Sequence, residues 1–595
     1  MKVYANPFVS YLNRYTTVSP EHEAAFDEFI TQAQPPSGEL LRLRTKIEEF
    51  VRTRFADPYP PSIILTGNAG DGKTYLCRQF IQGFNGQSVI DWGDSVEWSI
   101  DKDTQILRVI KDLSEVGRES GIIILCDLEA TLNETTPKTT FLIAANEGRL
   151  RALLNERGLE QLYQEVDRQL REGPDIANQH LIVLNLNLVT TSTYVLQAIE
   201  WLTDPVHWQN CQGCPAFNVC PIRFNATRLV KLHIALRLKL LYQILEYFGI
   251  HVTIRDMLIH LAYTLTGGLS CETIIRRSGL LGGDFHHYVY YENVWGSQAD
   301  ETFRLKVSVL HQLNRLNVGG YSLFEIDDFI VNGRHDDTDA QTEYEDLFTP
   351  SVDLNNQRFA QDRDSYLRGG ATSPHPDEDH PFLRWLPHCR RKLFFEWRNT
   401  DQANRLVPFL FLPYYLRLLE GELGVLDRAK RDLVMGLNRA FSKLYITDQN
   451  YLFVTSQYPH AVEQPVPIVR IKISVDYIDL TTKDAQTESC DCDRLDLMLI
   501  IPPPPHVKGE PIMWRVDLLC FEYLMRLAQG GTYNILADEC ELVIRQLKDD
   551  LLTRFAANVE ESGDERTAHI SFFAPEHNRY LLRDLWVNDE GKIQG

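Results

Sequence analysis

A glycine-rich segment holds the residues best suited to phosphate chemistry. Residues 67–74 read GNAGDGKT, which matches the pattern G-x-x-x-x-G-K-[ST]. Glycines in such a loop let the backbone curl so that successive N–H groups point at phosphate oxygens, and the following helix adds positive potential at its N-terminus. The motif predicts that Lys73 reaches the β- and γ-phosphates of a nucleoside triphosphate and that Thr74 ligates Mg²⁺. The predicted nucleotide-binding residues are Gly67, Asn68, Ala69, Gly70, Asp71, Gly72, Lys73, Thr74 and Tyr75.

A magnesium-bound triphosphate also needs a carboxylate at the carboxyl end of a neighbouring strand. The apolar run GIIILCD, residues 121–127, predicts a buried strand, and Asp127 at its end is the predicted second magnesium ligand. Leu128 follows, so the next acid is Glu129. If the backbone stays extended, Asp127 and Glu129 share a side, and Glu129 is then placed to polarise the attacking water. The alternative interpretation of Glu129 is a solvated glutamate in a loop.

A third polar residue follows another apolar run. The segment TFLIAAN, residues 140–146, predicts a strand that ends at Asn146. A side chain there is expected between the magnesium carboxylate and the γ-phosphate. Asn146 also precedes the helical pattern EGRLRALL, so a helix N-cap is the alternative, and one residue can fill both roles.

A cysteine-rich segment, HWQNCQGCPAFNVCP, predicts a metal site. Its C-x-x-C pair places two thiolates around one ion, and one more cysteine and a histidine would complete a tetrahedral zinc site. This predicted ligand set is His207, Cys211, Cys214 and Cys220. An iron–sulfur cluster is the alternative, because Cys-Pro at residues 220–221 occurs in ferredoxin-type runs, and Cys271 would then be the fourth ligand. Three unrelated cysteines is the remaining interpretation. Either metal is expected to be structural.

These motifs need a scaffold of alternating strands and helices. Between residues 62 and 188 short apolar runs alternate with helical patterns, which indicates an α/β fold with a parallel P-loop sheet covered on both faces. The predicted elements are a helix over 37–54, a strand at 62–66, a helix over 74–84, and strands at 88–92, 121–127, 140–146 and from residue 180.

We predict four parts along the chain. Residues 1–200 form the P-loop core with N-terminal helices, and 201–285 form a helical lid with the cysteine knuckle. Residues 286–440 are helical around an acidic loop at 334–380. Residues 441–595 form a mixed, β-rich interaction domain, because 469–477 and 495–501 alternate apolar and polar side chains as half-buried antiparallel strands do. A long amphipathic helix is predicted near 513–529.

The composition indicates a folded, acidic protein. The chain has 595 residues, 44% of them hydrophobic, and its 60 Lys and Arg against 82 Asp and Glu give a net charge of −22. This charge argues against a protein that coats nucleic acid or anionic lipid, although a local basic patch remains possible. No apolar run is long enough to span a bilayer and no secretory signal is visible. Eleven cysteines are sparse for this length, so we expect a cytoplasmic protein.

Two basic runs are candidates for phosphate contacts. They comprise Arg223, Arg228, Lys231, Arg237 and Lys239 in the first run, and Arg390, Arg391 and Lys392 in the second. Such runs more often form a solvated face or pair with an acidic neighbour, which is the interpretation we favour.

The segments GNAGDGKT, IIILCDLE and FLIAANEGRL resemble the Walker A, Walker B and sensor-1 segments of AAA+ and related STAND-type P-loop ATPases. The sequence pattern NxGDGKT, followed by a strand that ends in ANEGRL, also resembles the pattern in ATPase subunits of bacterial DNA-restriction and anti-phage defence systems linked to DNA phosphorothioation. The motifs cover about a third of the chain. The resemblance implies Mg²⁺-dependent ATP hydrolysis in a homo-oligomer or a hetero-complex with other defence subunits, with DNA bound through partners or a local basic patch.

The same resemblance implies two arginines. Arg255, in the first turn of a helix capped by Thr253, is the candidate for the lid arginine called sensor 2, although exposed helix arginines are common. Arg171 is the candidate for an arginine that reaches a neighbouring subunit, and Arg168, Arg149 and Arg151 are alternatives.

A second function remains open from the sequence. Because Leu128 separates Asp127 from Glu129, the chain is alternatively a scaffold that binds ATP tightly, hydrolyses it slowly and switches a partner effector. A GTPase is disfavoured, since no N/T-K-x-D motif accompanies the P-loop.

Overall fold

The structure, a computed structural model, describes most of the chain. The residues outside the description are 1–4, 17–34, 40, 56, 86–94, 103–104, 135, 157, 279–284, 334–337, 351, 370–379, 422–423, 456–467, 485–490, 493, 506, 532–536, 557–566, 575–578, 588–591 and 595. The strand predicted at 88–92 and parts of the acidic loop at 334–380 therefore lie outside the described residues. The chain divides into two compact units. The first comprises Met1–Glu246, Ile250–Pro408 and Gln486–Asp493, and the second comprises Tyr247–Gly249, Phe409–Ala485 and Arg494–Gly595.

A five-stranded sheet organises the first unit. Its strands are β1 (Ser62–Thr66), β2 (Glu97–Lys102), β3 (Gln105–Ile110), β4 (Thr139–Ala145) and β5 (Leu181–Asn185), in the order β2-β3-β4-β1-β5. β3, β4, β1 and β5 run parallel, and β2 pairs antiparallel with β3 at the edge. All five residues of β1 are buried, as expected for a central strand covered on both faces. The predicted α/β fold with a mostly parallel sheet is confirmed.

Helices cover this sheet. In chain order they are α1 (Pro7–Thr16), α2 (Lys46–Arg54), α3 (Lys73–Asn85), α4 (Arg118–Thr131), α5 (Glu147–Leu154), α6 (Glu160–Glu172) and α7 (Ser192–Thr203). Side chains of α4, α5 and α6 form one apolar core with β1, β4 and β5. The helix predicted over 37–54 is shorter than expected and begins after Thr45, whose side chain accepts a hydrogen bond from the Glu48 N–H.

The strand predicted over 121–127 is wrong, because this segment belongs to helix α4. Gly121, Ile124, Leu125 and Leu128 are buried, whereas the Ile123 side chain is 60% exposed. That burial follows the helical spacing of three and four residues. A short apolar run suits a buried strand and a buried helix equally well, so its periodicity did not distinguish the two.

The rest of the first unit is helical. Its helices are α8 (Pro205–Trp208), α9 (Pro221–Leu229), α10 (Leu232–Tyr247), α11 (Ile254–Thr266), α12 (Cys271–Ser278), α13 (Tyr290–Asn293), α14 (Glu301–Lys306), α15 (Ser308–Leu316), α16 (Phe324–Asn332), α17 (Thr338–Phe348), α18 (Asn356–Gly369), α19 (Trp385–Glu396) and α20 (Thr400–Asn404). The final residue of α10 belongs to the second unit. The helical character predicted after residue 200 is confirmed, but the loop predicted over 334–380 is wrong where the structure describes it, because Thr338–Phe348 and Asn356–Gly369 form α17 and α18.

In its described residues, the second unit combines four α-helices with two antiparallel sheets. The helices are α21 (Leu412–Leu419), α22 (Val425–Ser442), α23 (Leu518–Ala528) and α24 (Ala537–Leu551). The strands are β6 (Tyr451–Thr455), β7 (Ile468–Ser474), β8 (Asp479–Asp484), β9 (Leu495–Ile501), β10 (Ile512–Arg515), β11 (Thr567–Ala574), β12 (Arg579–Val587) and β13 (Ile593–Gln594). One sheet has the order β10-β9-β8 and the other β13-β12-β11-β7-β6.

The alternating pattern predicted β9 and most of β7, and both pair antiparallel with their neighbours. The strand predicted over 469–477 ends at Ser474, because residues 475–477 form a 3-10 turn capped by the Ser474 side chain. The helix predicted over 513–529 begins later than expected. Residues 512–515 pair with β9, and the Asp517 side chain caps α23 by accepting a hydrogen bond from the Cys520 N–H. In the described part of the chain, no helix combines the length and the apolar character that a membrane span requires.

Candidate functional site

The carboxyl ends of three parallel strands meet at one edge of the first unit's sheet. Thr66, the last residue of β1, lies opposite Ala145, the last residue of β4, and Ile110 of β3 lies opposite Ile143. The segments that leave this edge begin at Gly67, Lys111 and Asn146. In parallel α/β sheets ligands bind at this edge, beyond the strand ends.

The loop after β1 has the strained backbone that its glycines permit. Gly70 has a φ of +99°, in the left-handed region. A Cβ atom at Gly67 would lie 2.8 Å from the Asp71 Oδ2 and 2.9 Å from the Leu186 Cβ, so only glycine fits there. Helix α3 begins at Lys73, directly after the loop. The predicted order of strand, glycine loop and helix is therefore present, with the helix N-terminus at the loop.

The Asp71 carboxylate stabilises the loop through two contacts. Its Oδ2 accepts a hydrogen bond from the Asn68 N–H at 2.6 Å, and its Oδ1 lies 2.7 Å from the His251 Nε2. The Asp71 side chain is 4% exposed and the His251 side chain 20% exposed. His251 was not singled out in the sequence, since an isolated histidine before a helix has no distinguishing pattern. This contact ties the loop to the segment that leads into α11.

Lys73 lies inside the loop. Its Nζ donates to the carbonyl oxygens of Gly67 and Asn68 at 2.9 and 2.8 Å. Burial lowers the pKa of the Lys73 ammonium, and the nearby carboxylates of Asp71 and Asp112 oppose that effect. A buried ammonium among loop carbonyls and N–H groups is a ready partner for an anion that enters the loop.

Helix α11 docks on the same loop. Thr253 caps the helix by accepting a hydrogen bond from the Asp256 N–H, as predicted. The Arg255 N–H donates to the Gly70 carbonyl at 3.1 Å, and a Cβ at Gly70 would lie 3.0 Å from the Arg255 Cβ. The Arg255 guanidinium also lowers the pKa of Lys73 through its charge. Arg255 is thus placed beside the loop, where a lid arginine was expected.

After Asp71, a second carboxylate whose charge acts on Lys73 is Asp112, which the sequence analysis missed. Asp112 follows β3 after Lys111 and is half-buried. Its charge acts on the Lys73 ammonium, and its Oδ1 accepts a hydrogen bond from the Ser114 N–H at 2.7 Å. The Leu113 N–H donates to the Ala144 carbonyl at 2.8 Å, which holds this segment against the end of β4. The sequence signal that could have identified Asp112 is β3 itself, a short strand rich in β-branched residues that ends two residues before this acid.

Asp127 and Glu129 lie away from this edge, which corrects their predicted placement. Asp127 is on α4, and its side chain is 48% exposed and pairs with the Arg108 guanidinium at 2.7 Å. The Glu129 Oε2 accepts a hydrogen bond from the Leu162 N–H at 3.2 Å. Because the residues form a helix and not a strand, Asp127 does not occupy a strand end. Both carboxylates stabilise contacts of α4.

Asn146 stands where the sequence placed it, directly after β4. Its side chain accepts a hydrogen bond from the Gly148 N–H at 3.0 Å and caps α5, so the N-cap interpretation is confirmed. Since β4 lies between β1 and β3, Asn146 leaves the sheet between the glycine loop and the segment that carries Asp112.

The four arginines that were candidates for reaching a neighbouring subunit have partners within their own chain. Arg171 is 74% exposed and pairs with Asp167 at 2.5 Å. The other three contact carboxylates or a backbone carbonyl: Arg168 contacts Glu165 and Asp175, Arg151 contacts Glu147 and Asp167, and Arg149 donates to the Val116 carbonyl. Arg171 is the most exposed of the four.

Four cysteines meet in a second region of the first unit. Cys211, Cys214, Cys220 and Cys271 line one small cavity that is partly open to solvent. Burial raises the pKa of the Cys211 and Cys271 thiols, and it raises the pKa of Cys220 to about 12. These shifts argue against a nucleophilic thiolate. Within the described residues, no group of three or more His, Cys, Asp or Glu side chains is arranged to hold a metal ion directly.

His207 lies beside this region and does not line the cavity. Its ring stacks on Phe8 with centroids 4.0 Å apart and meets the edge of Trp201 at 5.2 Å. The Asn6 side chain joins the two places, because its Nδ2 donates to the His207 carbonyl at 2.9 Å and to the Cys211 Sγ at 3.3 Å. The cavity thus assembles the predicted cysteines with Cys271 and leaves His207 in an aromatic stack.

Most of the basic runs pair with neighbours inside the first unit, as the favoured interpretation predicted. Arg390 contacts both carboxylate oxygens of Asp327, at 2.6 and 2.7 Å. The remaining contacts are Arg391 with Glu292, Lys392 with Asp353, Arg228 with Glu396, and Arg237 with Asn404. These cations stabilise the fold.

Comparisons with known proteins found no match: no family model, no curated protein and no solved structure matches the chain.

Proposed function

We propose that the chain binds ATP with Mg²⁺ in the loop at residues 67–74 and hydrolyses it. The observation that carries this proposal is the loop itself: a buried Lys73 at the start of α3, glycines at its close approaches, and Asp112 within electrostatic reach. In this proposal the loop N–H groups and Lys73 hold the phosphates, and Thr74 and Asp112 hold Mg²⁺. Asp112 takes the role that the sequence assigned to Asp127.

The other groups at the strand edge support hydrolysis. Asn146 leaves the sheet between the loop and Asp112, a position from which an amide orients water near the terminal phosphate. Arg255 is fixed to the loop through its backbone and adds positive charge beside Lys73. An arginine of a neighbouring copy or partner, with Arg171 as the candidate, would complete the charge on the transferred phosphate.

The proposed setting is a cytoplasmic assembly. The resemblance of GNAGDGKT and FLIAANEGRL to ATPase subunits of DNA-restriction and anti-phage systems supports a motor or switch subunit that works with other defence proteins. The net charge of −22 supports contact with DNA through partners, because an acidic chain repels the phosphate backbone overall.

One observation favours a slowly hydrolysing switch as the second candidate. Asp112 is followed by Leu113, so no acid stands directly after it. Glu115 lies 3.7 Å from Lys111, and Glu129 is engaged with the N-terminus of α6. Without a carboxylate to polarise water, ATP would be held for long periods and would gate a partner effector.

Two measurements on purified protein separate these functions. Phosphate release from Mg·ATP gives the turnover, and the nucleotide released on denaturation shows whether ATP or ADP stays bound. Steady turnover that disappears in Lys73→Ala supports the ATPase. Bound ATP with negligible turnover supports the switch. Turnover that is unchanged in a folded Lys73→Ala variant excludes this loop as the site.

A further inference from the structure

The cavity lined by four cysteines is built from separate parts of the first unit. Cys211 and Cys214 lie in the loop before α9, Cys220 is the N-cap of α9, and Cys271 is the first residue of α12. The sequence separation between Cys220 and Cys271 includes two further helices, α10 and α11. A chance grouping of surface cysteines would not bring all four side chains to the same cavity.

A side-chain donor contacts one of the four sulfurs. The Asn6 Nδ2 donates to the Cys211 Sγ at 3.3 Å, and Asn6 itself lines the cavity. N–H to sulfur contacts of this kind are usual around metal-bound thiolates, where they orient the ligand and tune the centre.

Positive charge surrounds the same sulfurs. Cys220 and Cys271 lie at the N-termini of α9 and α12, where the helix dipole favours an anionic sulfur. The Arg223 guanidinium lies over the Phe217 ring, 3.5 Å from its centroid, and acts on Cys211 through its charge. Together with Cys211, Cys214, Cys220 and Cys271, the cavity lining includes Asn6 and Arg223 and contains no carboxylate, so the site suits four thiolates and a soft metal.

A tetrahedral zinc site and a cluster differ in how far apart their sulfurs lie. A zinc ion with Zn–S bonds of about 2.3 Å brings its four sulfurs to about 3.8 Å from one another. Within the described residues no three His, Cys, Asp or Glu side chains converge on one metal ion, whereas the four cysteines all line one cavity. We propose that Cys211, Cys214, Cys220 and Cys271 ligate an iron–sulfur cluster that fastens the starts of α9 and α12 to the loop at residues 211–214.

The cluster has a structural consequence that does not depend on nucleotide. Asn6, which precedes α1, contacts one of the ligands, Cys211, so the cluster also anchors the N-terminal helix. Ligation adds folding free energy to the small apolar cluster in which Val9 of α1, Ala216 of the loop and Ile222 of α9 pack together.

Anaerobic purification of the full chain tests the proposal through its iron, zinc and acid-labile sulfide content. We expect a brown protein with equal iron and sulfide, about two or about four of each per chain depending on the cluster type. A colourless protein with about one zinc per chain overturns the cluster, and so does protein with four free thiols and only trace metal.

Three variants assign the ligands. Cys214→Ser and Cys271→Ser are expected to lose the visible absorption and most of the iron. Cys126→Ser, which changes an exposed cysteine on α4, is the matched control and keeps both. His207→Gln distinguishes the two ligand sets, since it keeps the cluster if Cys271 is the fourth ligand. Loss of iron in a folded His207→Gln variant together with retention in Cys271→Ser contradicts the assignment. Circular dichroism of each variant reports whether it has folded.

Discussion

At the scale of single residues, the proposed site depends on which carboxylate serves as the magnesium ligand, Asp112 or Asp127. Asp112 acts on the Lys73 ammonium through its charge, whereas Asp127 pairs with Arg108 on an exposed helix face. A magnesium ion between phosphate and protein needs a carboxylate fixed near the loop. The Asp112 segment is fixed by the hydrogen bond from Leu113 to Ala144.

The matched variants Asp112→Asn and Asp127→Asn separate the two carboxylates. Each replaces one carboxylate by an amide of the same size. We expect Asp112→Asn to reduce Mg²⁺-dependent ATP turnover by about a hundredfold, because a charge next to the metal is lost. Asp127→Asn is expected to keep turnover within about twofold, since it removes only a partly exposed ion pair. The measurement is phosphate release at saturating ATP, and the reverse order of the two effects would contradict the placement of the metal ligand.

The glycine loop was predictable from the sequence because its residues act at fixed spacing within one segment. Asp112 was not, because its role depends on which strand lies beside β4. The segment GIIILCD is more apolar than QILRVI, which forms β3. For that reason GIIILCD was predicted to be the strand, although it forms part of helix α4. The inclusion of Cys271 with the other cysteines likewise depends on tertiary contacts across two helices, which no local pattern contains.

At the scale of elements, helix α11 connects the two regions of interest. Its N-terminus lies on the glycine loop through Arg255, and the chain beyond its C-terminus reaches Cys271 within five residues of Thr266. Asp71 and His251 make a second contact between the loop and the segment before the helix. Displacement of α11 would therefore alter the surroundings of Lys73.

Arg255→Ala tests the role of this helix at the loop. The backbone hydrogen bond to Gly70 and the Thr253 cap are retained, so the variant removes the charge and keeps the helix. We expect kcat/KM for ATP hydrolysis to fall by about tenfold or more, because the phosphates lose a cation. Arg315→Ala, at an exposed arginine at the end of α15, is the control and should match the unchanged protein. Equal kinetics for Arg255→Ala and the control would remove Arg255 from the site.

A buried charge network stabilises helices α13 and α19 of the first unit. Burial alone would raise the pKa of Glu292, but the hydrogen bond and charge of His388 and the charge of Arg391 outweigh it and lower the pKa to about 2. His388 lies 3.0 Å and Arg391 2.6 Å from the carboxylate. A carboxyl group with a lowered folded-state pKa contributes stability above its unfolded pKa and loses it as the pH falls towards the folded value.

Glu292→Gln should consequently destabilise the first unit by about 3 kcal/mol near neutral pH, because it leaves the Arg391 guanidinium and the His388 ring without their carboxylate partner. The difference from the unchanged protein should shrink as the pH falls from 4.5 towards 2, where Glu292 itself becomes protonated. Urea unfolding at several pH values measures both effects. Glu325→Gln, which removes a surface contact with Arg405, is the control and should cost less than about 1 kcal/mol. A difference that does not change with pH would contradict the network.

At the scale of the whole molecule, the proposed nucleotide site, Arg255 and the cysteine cavity all lie in the first unit. The second unit contributes two antiparallel sheets, of which β7 and β9 were predictable from the sequence because buried side chains alternate with more exposed ones along them. The composition also indicated a folded acidic chain. Partner proteins could not be predicted from the sequence, because they are recognised by surfaces that residues distant in the sequence form together.

The central claim is that the loop at residues 67–74 binds a nucleoside triphosphate with Mg²⁺, and titration calorimetry with Mg·ATP tests it most directly. The folded protein should bind about one ATP per chain. Lys73→Ala should weaken binding by at least about tenfold, or about 1.4 kcal/mol, because the phosphates lose their buried cation. Lys138→Ala, at an exposed lysine before β4, should bind like the unchanged protein. Absence of ATP binding by the folded protein, or equal affinity in Lys73→Ala, would contradict the claim.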